Sequence, residues 1–239
     1  MNDRNARPGT LYGLGVGPGD PELLTLKALR ILRAAPVLAY PAPPEGESMA
    51  RAIASSHLPG GQTEIAIRMP LDAARFPADE IYTAAAREIA DHLRAGRDVA
   101  ALCEGDPFFY GSFMYLFARL VDGHRIEVVP GVSSPMACAA ALGAPLAAQN
   151  DVLSVLPAPL GEDRLKARLE ECDAAAIVKV GRHVSKVRRV LRELGLEAHA
   201  RYIERASLAA ERILPLSEAE DPAPYFSMVL VHRRGAAWK

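Results

Sequence analysis

Apolar positions along the chain fall in short runs set between stretches of helical spacing, and this alternation predicts an α/β architecture. Thr10 to Val16 reads as a buried strand ending in glycines. Asp20 is placed to cap a helix, with Pro21 at its first position and Glu22 near its positive end. Leu24, Ala28, Ile31 and Leu32 make the apolar stripe of that helix. Pro36 to Tyr40 and the alternating Thr63 to Ile67 read as the second and third strands. Ala78 to Arg94 is an amphipathic helix stopped by Gly96. Asp98 to Cys103 and Arg125 to Val129 are two further strands, and Ser133 to Leu142 is a small-residue helix closed by Gly143.

The pattern then restarts. Val152 to Leu156 reads as a strand, Glu162 to Glu171 as a helix and Ala174 to Val180 as a strand. A basic helix from His183 to Leu194 ends at Gly195. Arg201 to Ile203, Glu211 to Leu214 and Ser227 to His232 complete the strands. Late strands without helices between them predict a mixed sheet. A break near Pro145 to Asn150 gives two tandem α/β domains, 1–146 and 147–239. Pro41 to Pro44 reads as a stiff loop just beyond the second strand, where α/β proteins keep their sites.

Charge narrows the partners. The 239 residues carry 28 basic and 29 acidic side chains, for a formal net charge of -1. Such a chain has no general pull on nucleic acid or anionic lipid, so a small-molecule substrate is expected, with no nucleic acid and no membrane. Cys103, Cys138 and Cys172 are odd in number and far apart, which argues against a disulfide framework and against a metal site. Met1 to Gly9 is polar, and no apolar run reaches about 18 residues, so a cytoplasmic protein is expected.

Three motifs follow strand ends. The first is Gly13-Leu14-Gly15-Val16-Gly17-Pro18-Gly19-Asp20. Its glycines let a backbone approach a ligand closely, or make only a tight turn. A dinucleotide fingerprint would need an acidic residue at the end of the second strand, and that strand ends in Tyr40-Pro41. No Gly-Lys-Ser/Thr follows, so a P-loop is excluded. The second motif is Cys103-Glu104-Gly105-Asp106-Pro107-Phe108-Phe109-Tyr110-Gly111-Ser112. Here Asp106 is suited to bond nearby amides, and the three aromatics suit a core. The third, Val129-Pro130-Gly131-Val132-Ser133-Ser134-Pro135-Met136, is a strand, a turn and a hydroxyl-rich helix start.

In this order and at these separations the three motifs resemble the tetrapyrrole methylase family, whose members use S-adenosylmethionine (SAM). GVGPGDPELLTLKALR, EGDPFFYGS and VPGVSS carry the likeness, which runs from about Thr10 to His232. It implies two α/β domains of the tetrapyrrole methylase type, with the active site in the cleft between them, and a homodimer. It also implies SAM contacts at Pro18, Glu104, Gly105, Asp106, Ser133 and Ser134, and more loosely at Val180 and Ala206. LAYPAP, PGVSSPMACAAALGAPLAAQNDVLSVLPAP and the KVGRH turn extend the resemblance to the branch that methylates corrin precursors. The branch acting on uroporphyrinogen III carries an acidic residue where this chain has Pro41.

What the resemblance implies for chemistry is a carbon nucleophile attacking a methyl sulfonium, with no metal and no strong protein nucleophile. Tyr110, Glu104 and His183 are candidates for managing a proton at the ring. A carboxylate-rich tetrapyrrole calls for basic side chains, and Arg68, Arg75, Lys179 and Arg182 lie near strand or turn ends. The helical basic run from Arg182 to Arg192 is expected to be mostly a solvated face.

Overall fold

In the computed structural model, residues 7–69 and 79–235 are described, and Arg75 lies outside them. The chain divides into two compact units, Met1–Ser133 and Ser134–Lys239.

The first unit is built on β1 (Thr10–Gly15), β2 (Val37–Ala42), β3 (Thr63–Arg68), β4 (Val99–Cys103) and β5 (Arg125–Val129). They form one parallel sheet in the order β3-β2-β4-β1-β5. Every residue of β4 is buried, as a central strand covered on both faces requires. α1 (Leu26–Ala34) and α2 (Met49–Ala54) cover one face, through Ile31, Leu32 and Ile53 packed with Leu14, Leu38 and Leu102. α3 (Asp79–Arg94) and α4 (Phe113–Leu120) cover the other, through Ile89, Leu93, Phe113 and Leu116.

Some local expectations are corrected. Asp20 caps only a single 3-10 turn, Pro21–Leu23, by accepting from the Glu22 amide at 2.8 Å. Leu24 is extended, and Thr25 restarts the helix by accepting from the Ala28 amide at 3.1 Å. Pro41 and Ala42 are part of β2 rather than of a loop. α2 and α4 were not read from the pattern. α2 has six residues and α4 eight, too short for a periodic stripe to stand out along the chain.

The second unit holds β6 (Leu153–Pro157), β7 (Ala174–Val178), β8 (Ala200–Glu204), β9 (Arg212–Leu214) and β10 (Ser227–His232), in the order β6-β7-β10-β8-β9. β6 and β7 are parallel. β10 runs antiparallel to β7 and β8, and β9 antiparallel to β8, so the sheet is mixed. α6 (Glu162–Glu171) and α7 (Val184–Glu193) cover one face. α5 (Ser134–Leu142) covers the other, with Cys138 packed against Ala176, Ile203 and Leu230. That packing puts the division of the chain before α5, earlier than the break read at Pro145 to Asn150.

α7 buries Val184, Val187, Val190 and Leu191. Its basic residues are bonded to the protein itself. Lys186 reaches the Leu160 carbonyl, Arg188 those of Leu216 and Ala219, Arg189 pairs with Glu162, and Arg192 pairs with Glu197. Arg182, Arg189 and Arg192 are nevertheless exposed, as expected of a solvated face, while Lys186 and Arg188 are half-buried. No helix among the described residues is long and apolar enough to cross a membrane.

Candidate active site

β1 lies between β4 and β5, yet the chain leaves β1 toward β2 over the α1 face and leaves β4 toward β5 over the α4 face. The carboxyl ends of β1 and β4 thus flank the switch point, where open α/β sheets bind ligands. All three glycine motifs meet near it. The loop after β1 and the loop after β4 pair through Gly17 and Gly105. The loop after β5 crosses them so closely that a Cβ on Gly131 would lie 2.1 Å from the Gly105 carbonyl oxygen, and one on Gly15 2.5 Å from the Gly131 nitrogen. Only glycine fits these positions. Gly17 and Gly105 also hold φ of 82° and 65°.

Asp106 ties the crossing together. Its Oδ1 accepts from the Phe108 and Phe109 amides at 2.9 and 3.1 Å, and its Oδ2 from the Gly131 amide at 3.1 Å. The expected turn capping is present, and it reaches across to a second loop. The inventory of amides is informative. Val16 donates to the Cys103 carbonyl, Gly17 and Gly105 to each other, and Phe108, Phe109 and Gly131 to Asp106. Pro18 has no N–H. Six amides of these loops are thus spent on the protein itself, whereas a pyrophosphate cradle turns such amides toward the ligand. A cation, or a neutral group bearing hydroxyls, suits them better.

Glu104 sits at the head of the same loop. Its Oε1 accepts from the Ala50 amide at 3.2 Å, in the first turn of α2. Burial pushes its pKa up, partly opposed by backbone amides. β2 and β4 pair only from Val37 to Ala39 and Val99 to Ala101, although both strands continue. Pro41, which cannot donate to a ladder, lies just beyond the last pair. The resulting crevice is lined by Tyr40, Pro41, Tyr82, Leu102, Ser112 and Phe113. On its β3 side, the Tyr40 hydroxyl donates to Glu64 at 2.6 Å, and Arg51 grips the same carboxylate with bonds of 2.6 and 2.9 Å. Arg51 holds the Glu64 pKa down. The sequence motifs gave no sign of this cluster.

The aromatics of the second motif are not core. Phe108, Phe109 and Tyr110 are 49%, 36% and 48% exposed, and Tyr110 adopts φ 58°. A left-handed non-glycine backbone costs about 1 kcal/mol or more, and such residues gather at functional sites. The cysteines are poor nucleophiles, since burial raises Cys103 to about 11 and Cys138 to about 12.

The remaining predicted residues divide between the units. Pro18, Glu104, Gly105, Asp106 and Ser133 belong to the first, as does Arg68, whose guanidinium bonds the Pro43 carbonyl at 3.0 Å and so helps hold the loop after β2. Ser134, Val180, Ala206, Lys179, Arg182 and His183 belong to the second. There β7 and β8 run parallel, and the turns after them place Val180 and Ala206 at one edge of the sheet. Both side chains are buried. Lys179 and Arg205, which precede them, have positive φ of 59° and 51°. His183 ends the 3-10 turn Gly181–His183, and burial followed by the charges of Lys186 and Arg182 lowers its pKa. Among the described residues no group of His, Cys, Asp and Glu is arranged to hold a metal ion.

Known proteins resemble the chain over nearly its whole length. The model of the tetrapyrrole (corrin/porphyrin) methylases matches residues 10–220. Cobalamin biosynthesis protein CobIJ of Mycobacterium tuberculosis is 45% identical over 232 residues, which are 93% of this chain and 46% of that protein. The chain thus spans about half the length of the CobIJ relatives it matches. Precorrin-2 C(20)-methyltransferase of a Sinorhizobium species is 43% identical over 232 residues, covering 93% of this chain and 95% of that one. The solved structure of uroporphyrin-III C-methyl transferase from Thermus thermophilus, complexed with S-adenosyl homocysteine, aligns with a TM-score of 0.66 at 27% identity, over 94% of this chain and 92% of that one.

Proposed function

This chain belongs to the tetrapyrrole methylases, and from that premise we propose that it is a SAM-dependent C-methyltransferase that methylates C20 of precorrin-2, giving precorrin-3A in cobalamin biosynthesis. One structural fact supports a SAM site above the others. The amides of Val16, Gly17, Gly105, Phe108, Phe109 and Gly131 are all occupied, which disfavours a bound phosphate and suits a sulfonium bearing neutral hydroxyls. The donor set therefore fits the cofactor. Pro18, Glu104, Gly105, Asp106, Ser133, Ser134, Val180 and Ala206 are the residues proposed to hold it.

SAM, when bound, supplies a methyl group already activated for transfer. The protein is left with positioning, which contributes about 7–11 kcal/mol when reacting groups are well oriented. The glycine crossing, stapled by Asp106, gives the loops after β1, β4 and β5 one rigid backbone surface. Burial raises the Glu104 pKa, partly opposed by backbone amides, and Glu104 is one candidate for handling a proton at the ring. Tyr110 and His183 are the other candidates for handling a proton. Lys179 and Arg182, both exposed after β7, are proposed to meet ring carboxylates, with Arg68 and Arg75 as further candidates. A cytoplasmic homodimer is part of the same proposal.

The test is mass spectrometry of the products after incubation with SAM and precorrin-2, metal-free and cobalt-loaded in parallel. One added methyl on the metal-free ring is the expected result. Methylation of the cobalt ring alone would move the enzyme to the metal-containing route, and none on either would overturn the substrate assignment.

A further inference from the structure

At the opposite edge of the second sheet from Val180 and Ala206, where β7 and β8 begin and β10 ends, lies a separate pocket of about 230 Å³. Its apolar wall includes Leu142, Leu146 and Leu230, and its polar lining is His199, Arg201 and His232. The charges are unevenly matched. His232 Nε2 lies 3.1 Å from Asp151 Oδ2, and Arg234 donates to both oxygens of the same carboxylate at 2.7 Å. Asp151 also accepts from the Ala148 amide at 2.7 Å, and none of its bonds comes from Arg201. Among the described residues Arg201 has no side-chain partner, and His199 Nδ1 is buried without one.

We infer that this pocket binds a small carboxylic acid, its carboxylate on Arg201 and its short hydrocarbon chain along Leu142, Leu146 and Leu230. One permanent positive charge matches a monoanion. Arg offers the planar fork that a carboxylate fits, with two parallel N–H donors from one guanidinium. The volume falls below the about 300–1,000 Å³ of sites for drug-sized ligands, so neither a nucleoside nor a macrocycle is the occupant. None of the residues proposed above for methyl transfer lines this pocket.

Saturation-transfer NMR on the full chain, with sodium butyrate as the probe and sodium chloride of matched ionic strength as the reference, tests it. Saturation is expected to reach the butyrate protons, and to persist when S-adenosylhomocysteine is added. Arg201→Gln should weaken binding roughly tenfold or more, as loss of a charged hydrogen-bonding partner implies. Arg201→Lys, which keeps the charge, should retain part of it. Both variants should keep the wild-type melting temperature and methyl-transfer rate, so this inference and the proposed function fail separately. No transfer to butyrate, equal transfer in wild type and Arg201→Gln, or displacement by S-adenosylhomocysteine would each overturn it.

Discussion

Gly17 and Gly105 exchange two backbone hydrogen bonds, at 3.3 and 2.8 Å, and so join the loops that follow two neighbouring strands. The join is made of backbone alone, and Gly131 packs directly onto it. The predictions for this site follow from how little room the crossing leaves and how few partners hold it.

Gly131→Ala is expected to lower stability by about 3 kcal/mol, because its Cβ would meet backbone that has nowhere to move. S-adenosylhomocysteine binding should be lost with it. Gly123→Ala is the control, since nothing lies within 4 Å of a Cβ there. Denaturant unfolding of both variants checks the contrast, and equal stabilities would contradict the crossing.

Asp106→Ala removes the acceptor of three amides on two loops. The loss of these charge-assisted bonds should cost about 2–4 kcal/mol. Calorimetry with S-adenosylhomocysteine is expected to show affinity down roughly tenfold or more, equivalent to about 1.4 kcal/mol. Unchanged affinity would place the cofactor on other loops.

Two glutamates should give opposite pH signatures. The Glu104 pKa is raised above its ordinary 4.5 by burial, so the folded chain holds that proton more tightly than the unfolded one. Its favourable contribution is full below 4.5 and is lost as pH rises through the folded value. The Glu64 pKa is lowered, first by its bond to Arg51, so its contribution is present above 4.5 and is lost as pH falls through the folded value. In urea unfolding across pH, wild type minus Glu104→Gln should fall as pH rises, and wild type minus Glu64→Gln should climb. Flat differences would refute the assigned environments.

Tyr110→Phe tests whether the hydroxyl takes part in proton handling. The side chain is 48% exposed, so the melting temperature should not change. A role in general acid or base chemistry predicts a fall in kcat of roughly a hundredfold or more. A fall of less than roughly threefold would reduce Tyr110 to part of the wall, since that is under about 0.7 kcal/mol.

Much of the fold was legible because its strands are short, apolar and bounded by glycines. Arg125–Val129, Glu162–Glu171 and Ser227–His232 stand where the pattern puts them. Elements without a periodic stripe were hidden. Phe113–Leu120 is a helix packed beside α3 on one face of the sheet, and its dense apolar sequence reads equally well as core or loop. The unit boundary was hidden for a related reason. The small residues of Ser134–Leu142 carry no mark of which sheet they cover, and only packing against β8 and β10 decides it.

At the candidate site the motif words identified the loops but not their bonds. That Asp106 accepts from amides near it in sequence was foreseeable, since Asp at the head of such a turn does so. Its reach to Gly131, 25 positions on, depends on β1 lying between β4 and β5. The Tyr40–Glu64–Arg51 cluster likewise draws on β2, β3 and α2, which no local motif links.

The unpaired stretch between β2 and β4 has a consequence for hydrogen exchange. Beyond Ala39 and Ala101 the two strands share no ladder bond, so β2 and β3 form a flap attached to the rest of the sheet at its amino end. Past that seam the Ala50 amide donates to Glu104, a lateral latch from the flap to the loop after β4. A carboxylate holds that amide more strongly than a protonated acid does. Protection of the Ala50 amide, corrected for the intrinsic rate, should therefore rise as Glu104 ionises, reporting the charge of one buried side chain through the breathing of a sheet edge.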